Sequence, residues 1–112
     1  MNKKFEVIFL EEAIEFLEEL DEKDREKILY NIDKASYHND PKLFKKLTDD
    51  IWEFRTLYAK KQYRLLAFWD KEDKEETLVI TTHGFVKKQS KVPKNEIKKA
   101  EKSRIEYFDD KS

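Results

Sequence analysis

Residues 51–83, with the sequence IWEFRTLYAKKQYRLLAFWDKEDKEETLVITTH, decide the fold of this chain. They contain three runs rich in aromatic and β-branched residues, and short polar or charged stretches separate the runs. Runs with these residue types and a period of two are typical of β-strands, and short connections favour antiparallel neighbours. The stretch therefore predicts a three-stranded antiparallel meander over residues 51–57, 63–70 and 77–83.

The residues before the meander predict a strand and a helical hairpin. Lys4–Leu10 is almost wholly apolar, which indicates a buried strand inside a sheet. Glu11–Leu20 has apolar residues at helical spacing, and a second such stripe begins after Asp21, a residue suited to cap a helix. The second helix should end near His38–Pro41, because these residues favour turns. Residues 44–47 read as a bridging piece.

A last helix is predicted after the meander. Pro93 stands where a helix would begin, and an apolar stripe continues to about Phe108. We therefore predict one α+β domain over residues 1–112. Its order is a strand, a two-helix hairpin, a three-stranded antiparallel meander completing a four-stranded sheet, and a C-terminal helix.

The composition excludes several classes of function. The chain has no cysteine, so disulfides, thiolate nucleophiles and cysteine-based metal sites are excluded. Its two histidines lack clustered carboxylates, and we expect neither a metal nor a cofactor. We find no signal-peptide pattern and no apolar run that could span a bilayer, and we expect a cytoplasmic protein without a membrane partner.

The charges are unevenly distributed although the formal net charge is only -1. Residues 11–26 are strongly acidic, whereas residues 83–104 are strongly basic. A basic array without balancing acids attracts a polyanion, and RNA is the polyanion that we expect. Lysines on a helix more often form a solvated face, but few acids surround Lys87, Lys88 and Lys91. The expected RNA-binding lysines are Lys91, Lys94, Lys98, Lys99 and Lys102, in addition to Lys87 and Lys88 at the start of the basic segment.

Two arginines of the meander are candidates for binding phosphate. Arg55 and Arg64 lie on neighbouring predicted strands, and they share a sheet face if the intervening turn has an even number of residues. A guanidinium group donates two parallel hydrogen bonds to a phosphate and keeps its charge. The sequence leaves open the alternative that these arginines pair with acids such as Glu53.

His83 and Gly84 mark the end of the last predicted strand. His83 is a candidate acid or base, because an imidazole titrates near neutral pH. Gly84 is the only glycine of the chain, which indicates a positive φ or a close approach of another group. His38 is read as structural. Arg104 falls within the apolar stripe of the last helix, so we expect it to point to an acidic partner or to the active cleft.

These residues resemble a known family. The resemblance covers most of the chain and is carried by Leu47, Ile51-Trp52-Glu53-Phe54-Arg55, Tyr63-Arg64, His83-Gly84-Phe85-Val86-Lys87-Lys88, Pro93, Glu96-Ile97, Ala100 and Arg104. Together they resemble the RelE/HigB-like toxins of type II toxin–antitoxin systems, in the phage-derived HigB-like branch. The resemblance implies a RelE-like fold and an mRNA endonuclease that acts on the ribosome and is silenced by a cognate antitoxin. Val92 departs from the family, whose members often have Ser or Thr there.

The resemblance also implies a set of site residues: Arg55, Arg64, His83, Lys87 and Lys88. Such an enzyme needs no metal, because the ribose 2′-hydroxyl attacks the adjacent phosphate. We assign charge stabilisation to the two arginines and proton transfer to His83, with Lys87 or Lys88 as the alternative. Two other functions remain open: a same-fold toxin that inhibits gyrase, and a noncatalytic binding module.

Overall fold

A mixed five-stranded sheet carries helices on both faces. The computed structural model describes residues 2–112. The elements are β1 Glu6–Phe9, α1 Glu11–Glu18, α2 Glu22–Tyr37, β2 Phe44–Lys46, β3 Trp52–Tyr58, β4 Lys61–Asp70, β5 Leu78–Lys87 and α3 Lys94–Lys111. The strands are arranged in the order β1-β5-β4-β3-β2. The α+β class, the helical hairpin, the antiparallel meander and the C-terminal helix are confirmed.

The predicted count of four strands is wrong, because the bridging piece forms a short fifth strand, β2. Phe44 opposes Phe54 of β3, and their rings stack with centroids 4.3 Å apart. The ring of Trp52, two residues before Phe54 on β3, also stacks on Phe44, with centroids 4.9 Å apart. These contacts join residues distant in sequence, so the local pattern around Phe44 does not reveal the strand.

The first strand lies at the edge of the sheet, and the prediction of an internal strand is wrong. β1 pairs in parallel with β5 and has no second neighbour in the strand order of residues 2–112. Phe5, just before the strand, is buried in an aromatic cluster with Phe44, Phe54 and Trp69. The strand itself is only half-buried and Ile8 is exposed, so the prediction of a buried strand is wrong beyond Phe5.

Strand β4 separates two cores. Leu65 and Ala67 face α1 and α2, whereas Leu66 and Phe68 pack in the core that contains Ala100 of α3. Because helices cover both faces, residues 63–68 are buried without interruption. A charged side chain on this strand must therefore find a partner inside the protein.

A two-residue turn joins β3 to β4. Ala59 and Lys60 both have positive φ, 52° and 66°, between the opposed residues Tyr58 and Lys61. Two central residues with positive φ are the pattern of a type I′ hairpin turn. This turn has an even number of residues, which meets the condition stated for a shared face, and it sets Arg55 directly opposite Arg64.

The double variant Ala59→Asn, Lys60→Gly is expected to raise the free energy of unfolding by about 1 kcal/mol, because Asn-Gly adopts positive φ with less strain. Urea unfolding measures the change. The single variant Ala59→Val serves as the control and should lower stability, since a β-branched residue resists positive φ. Equal stability of all three proteins would contradict the observed turn.

The end of α3 is fastened to β4 by Asp70. This carboxylate is almost fully buried and accepts hydrogen bonds from the Tyr107 hydroxyl at 2.7 Å and from Lys111 Nζ at 2.6 Å. Burial opposes its ionisation, but hydrogen bonds from Lys111 and Tyr107 outweigh this and hold the pKa of Asp70 below its ordinary value.

Ile105, predicted to lie in the apolar stripe of the last helix, is instead exposed.

Asp70→Asn is expected to lower the free energy of unfolding by about 2 kcal/mol at pH 7, because hydrogen bonds to a charged acceptor are lost. The pKa of Asp70 is lowered in the folded state, so its contribution is present above the unfolded value of 3.8 and is lost as pH falls through the folded value. Urea unfolding at pH 7 and pH 3 should therefore show a smaller difference at pH 3. Asp109→Asn, at an exposed position, should change little at either pH.

Candidate functional site

Arg55 and Arg64 meet on the sheet face that α3 partly covers, and both contact the carboxylate of Glu53. The Arg64 Nε lies 3.0 Å from Glu53 Oε1, and the Arg55 Nε lies 3.7 Å from Glu53 Oε2. Convergence of the arginines and their pairing with Glu53 were treated as alternatives at the level of sequence. The structure shows both together, with one carboxylate between two guanidinium groups.

Arg64 is held rigidly. Its side chain is 3% exposed, its Nη1 donates to the carbonyl of Tyr63 and its Nη2 donates to Gln62 Oε1. Burial lowers the pKa of Arg64, and the charge of Glu53 opposes that shift. Arg55 is about one third exposed and donates to the carbonyl of Pro41. The guanidinium of Arg64 is therefore fixed in place, and that of Arg55 is open to solvent.

The hydrogen-bonding capacity of this cluster is incompletely used. Among residues 2–112, the buried side-chain atoms without a hydrogen-bond partner are Glu53 Oε1, Arg55 Nε, Arg64 Nε and Thr81 Oγ1. Three of these four atoms belong to the arginine cluster. The close Nε–Oε contacts are therefore ion pairs without hydrogen-bond alignment. Buried polar atoms without a hydrogen-bond partner are rare in proteins, so their concentration here distinguishes this cluster from the rest of the described residues.

Lys87 extends the cluster along β5. It opposes Gln62, whose neighbour on the same face is Arg64. Burial, followed by the charge of Arg64, lowers the pKa of Lys87, and Arg55 acts in the same direction. Its Nζ donates to the carbonyl of Ser90 at 3.3 Å. Lys88 follows at an exposed position.

His83 lies on the same face of the sheet, but its ring is engaged elsewhere. It is 3% exposed, its Nδ1 lies 2.9 Å from Thr82 Oγ1, and its Nε2 lies 3.0 Å from Glu96 Oε1 of α3. Burial lowers the pKa of His83, although the hydrogen bond to Glu96 opposes this. The carboxylate of Glu96 accepts, so a neutral ring carries its proton on Nε2. The single proton of the Thr82 hydroxyl is then shared between His83 Nδ1 and the carbonyl of Leu66, which lies 3.2 Å away. His83 thus connects β5 to the first turn of α3.

An irregularity in β5 gives His83 this position. The pairing of β4 and β5 shifts between Leu66 and Ala67: Leu66 opposes His83, whereas Ala67 opposes Thr81. Thr82 is the extra residue of a β-bulge, and bulges redirect the side chains beside them. The strand continues through Gly84 to Lys87, so the predicted strand end at His83 is wrong. Without the bulge, His83 would point to the opposite face.

Gly84 serves a close approach. No glycine has positive φ within residues 2–112, and a Cβ at Gly84 would lie 2.4 Å from Cδ2 of Phe16. Of the two predicted reasons for the glycine, the second is confirmed.

The lysines predicted to bind RNA lie mostly at the surface. Lys91, Lys94, Lys98, Lys99 and Lys102 are all exposed. Lys99 is paired with Glu12 of α1 at 2.6 Å, so its charge is balanced. Arg104 pairs with Asp50 at 3.6 Å, and its guanidinium lies over the ring of Phe108. Of the two positions predicted for Arg104, it therefore has the one beside an acidic partner. These residues do not line the arginine cluster.

Sequence reasoning missed two residues of the site. Glu53 was considered only as a partner that would neutralise an arginine, whereas it organises both arginines. A usable signal was its place two residues before Arg55, which puts both side chains on one face of a strand. Thr82 could not have been found, because its contact depends on the bulge.

Comparison with models of protein families gives a match. Residues 15–104 match the family described as Phage derived protein Gp49-like (DUF891). The chain belongs to this family. The Gp49-like family is related to toxin–antitoxin systems. A comparison with curated protein sequences gives no significant match.

The matched region of this Gp49-like protein contains the whole candidate site, from Glu53 to Lys88. Within the part of the chain that the structure describes, no helix is long and apolar enough to cross a membrane. Over the same residues, no three His, Asp or Glu side chains form a group suited to a metal ion.

Proposed function

We propose that this Gp49-like protein is the toxin of a type II toxin–antitoxin system and cleaves mRNA on the ribosome as an endoribonuclease. The supporting observation is the pair of opposed arginines with unsatisfied buried donors beside Lys87. Two guanidinium groups and an ammonium group suit a phosphodiester whose negative charge grows in the transition state. Family membership agrees with a toxin and a cognate antitoxin.

The proposed chemistry is a transesterification of RNA. The ribose 2′-oxygen forms a bond to the adjacent phosphorus, the 5′-oxygen leaves, and the products carry a 2′,3′-cyclic phosphate and a 5′-hydroxyl. A base accepts the 2′-hydroxyl proton, and an acid returns a proton to the leaving oxygen. Arg64 provides a fixed positive charge near the phosphoryl oxygens, and Arg55, which is partly exposed, contacts the same group.

Lys87 is the residue that we assign to proton transfer. It lies on the arginine face, and its pKa is lowered by burial and by Arg64, which increases the fraction of neutral amine. His83 remains a candidate from the sequence, but both of its ring nitrogens have partners within the protein. We propose that His83 positions α3 against β5 and that Lys88 contributes positive charge.

The assignment predicts the pH dependence of cleavage. A lysine base must be neutral, so the rate should rise with pH through a pKa below the ordinary lysine value of 10.5. Lys87→Gln should remove this rise and lower the rate about 100-fold. A profile measured with His83→Gln serves as the comparison and should keep the rise. A rise that disappears in His83→Gln and persists in Lys87→Gln would transfer the role to His83.

A translation system distinguishes the proposed function from other toxin activities. Purified protein added to ribosomes translating a defined mRNA should produce cuts at fixed positions within codons. Loss of DNA supercoiling without cuts in mRNA would replace the nuclease by a gyrase inhibitor. If neither effect occurs, the protein is a binding module. Either of these last two results would overturn the proposal.

A further inference from the structure

The end of the β3–β4 hairpin carries a group of lysines separate from those of α3. Lys60 and Lys61 lie at the turn, and together with Gln62, Val86, Lys87 and Lys88 they line a shallow depression. We call this depression the hairpin basin. Four of its six lining residues are lysines, and none is an acid. Lys60 and Lys61 lie far from residues 83–104 along the chain, and only the fold brings them close to Lys87 and Lys88.

The charges of the basin are not balanced within the protein. The ion pairs formed among residues 2–112 include none of its four lysines. On α3, Lys99 is paired with Glu12 and Lys111 with Asp70. Lys98 and Lys102 form no ion pair among these residues either, but they lie apart from the arginine cluster. Like charges held together without counter-charges favour an anionic ligand with several charges. The phosphate backbone of RNA is such a ligand.

The basin shares Gln62 and Lys87 with the face of the arginine cluster, whereas Lys61 and Val86 alternate to the other face of the sheet. Lys87 lines the basin, and the charges of Arg64 and Arg55 act on the same ammonium group. Gln62 is shared too, since it lines the basin and accepts a hydrogen bond from Arg64. A strand with one phosphate at the arginines therefore has a path of positive charge leading to the hairpin turn.

We infer that the hairpin basin binds the phosphate backbone of the RNA strand whose scissile phosphate lies at Arg55 and Arg64, an assignment that rests on the proposed function. The basin, and not the exposed lysines of α3, then supplies the main electrostatic contribution to binding. Lys60 and Lys61 contact phosphates beyond the scissile group. The lysines of α3 are solvated and contribute little to affinity.

Two neutralising variants with equal charge change test this inference. The basin variant is Lys60→Asn, Lys61→Gln, in which asparagine tolerates the positive φ at position 60. The matched control is Lys98→Gln, Lys102→Gln on α3. The probe is a fluorescent single-stranded oligonucleotide with 2′-O-methyl groups, which the full-length protein cannot cut by the proposed route. Affinity is measured between 0.05 and 0.5 M salt, and circular dichroism verifies folding.

Each lysine that contacts a phosphate of a single strand adds about 0.7 to the slope of log affinity against log salt. The basin variant should lose about 1.4 from this slope, which corresponds to about 25-fold weaker binding at 0.1 M salt if affinities converge at 1 M. The control should keep the slope and affinity of the unmodified protein.

The outcomes separate this inference from the proposed function. Normal binding by the basin variant, or a loss confined to the α3 variant, would overturn the inference, while cleavage by the unmodified protein would still support the nuclease. Basin-dependent binding by a protein that never cleaves RNA would refute the nuclease and support the basin as an RNA site. Failure of the unmodified protein to bind the probe at 0.05 M salt would overturn the inference.

Discussion

The double variant Glu53→Gln, Arg64→Gln is expected to lower mRNA cleavage by 100- to 1000-fold while the protein stays folded. Removing a preorganised donor that stabilises transition-state charge has effects of about this size. Both residues must change together, because Glu53 is almost fully buried and would keep only the partly exposed Arg55, at 3.7 Å, after loss of Arg64 alone. Breaking a buried ion pair by removing one partner destabilises by about 3–5 kcal/mol, which would confuse a loss of activity with a loss of fold.

The matched control removes another arginine and its acid. Arg104 and Asp50 form an ion pair at 3.6 Å, and both are partly or fully exposed. The variant Asp50→Asn, Arg104→Gln should cleave at the normal rate, because an exposed pair contributes about 0–1 kcal/mol and lies outside the arginine cluster. Rates are compared under single-turnover conditions. Normal cleavage by the Glu53, Arg64 variant would remove Arg64 from the mechanism.

Gly84→Ala is expected to lower the free energy of unfolding although it adds only one methyl group. The new Cβ would lie 2.4 to 2.8 Å from three ring atoms of Phe16, so the α1 side chain or the strand must move. Overpacking of this kind costs about 1–3 kcal/mol. The backbone itself tolerates alanine, since Gly84 does not have positive φ.

A double-mutant cycle identifies the cause. Phe16→Ala removes the ring, so adding Gly84→Ala to this variant should cost much less than it costs in the unmodified protein. Urea unfolding of the four proteins gives the coupling free energy. Strictly additive effects would show that the glycine is required for some reason other than its contact with Phe16.

The helices and the meander could be predicted because their patterns are local. The period-two runs around Phe54 and Leu65 and the helical stripes of α1 and α2 are complete within a few residues of each element. Two errors in the sheet concern partners. Phe44 belongs to a strand that pairs with β3 and stacks on Phe54, and β1 has a single neighbour, so only Phe5 at its start is buried. Such contacts are not visible in a local window.

The candidate site could also be predicted where it depends on local pattern, and not where it depends on tertiary contacts. The opposition of Arg55 and Arg64 followed from the length of one turn and the side-chain period of a strand. The surroundings of His83 did not, because a single extra residue, Thr82, decides which face the ring occupies. The pairing of Lys99 with Glu12 brings together positions 87 residues apart. Residue type therefore indicated the chemistry, and tertiary contacts decided which residues could perform it.

The most direct test of the central claim is to map mRNA ends in cells after brief induction of the protein. The account predicts new 5′-hydroxyl ends at fixed positions within codons, which disappear in the Glu53→Gln, Arg64→Gln variant and persist in the Asp50→Asn, Arg104→Gln control. Growth arrest without new mRNA ends, or equal cutting by both variants, would contradict it.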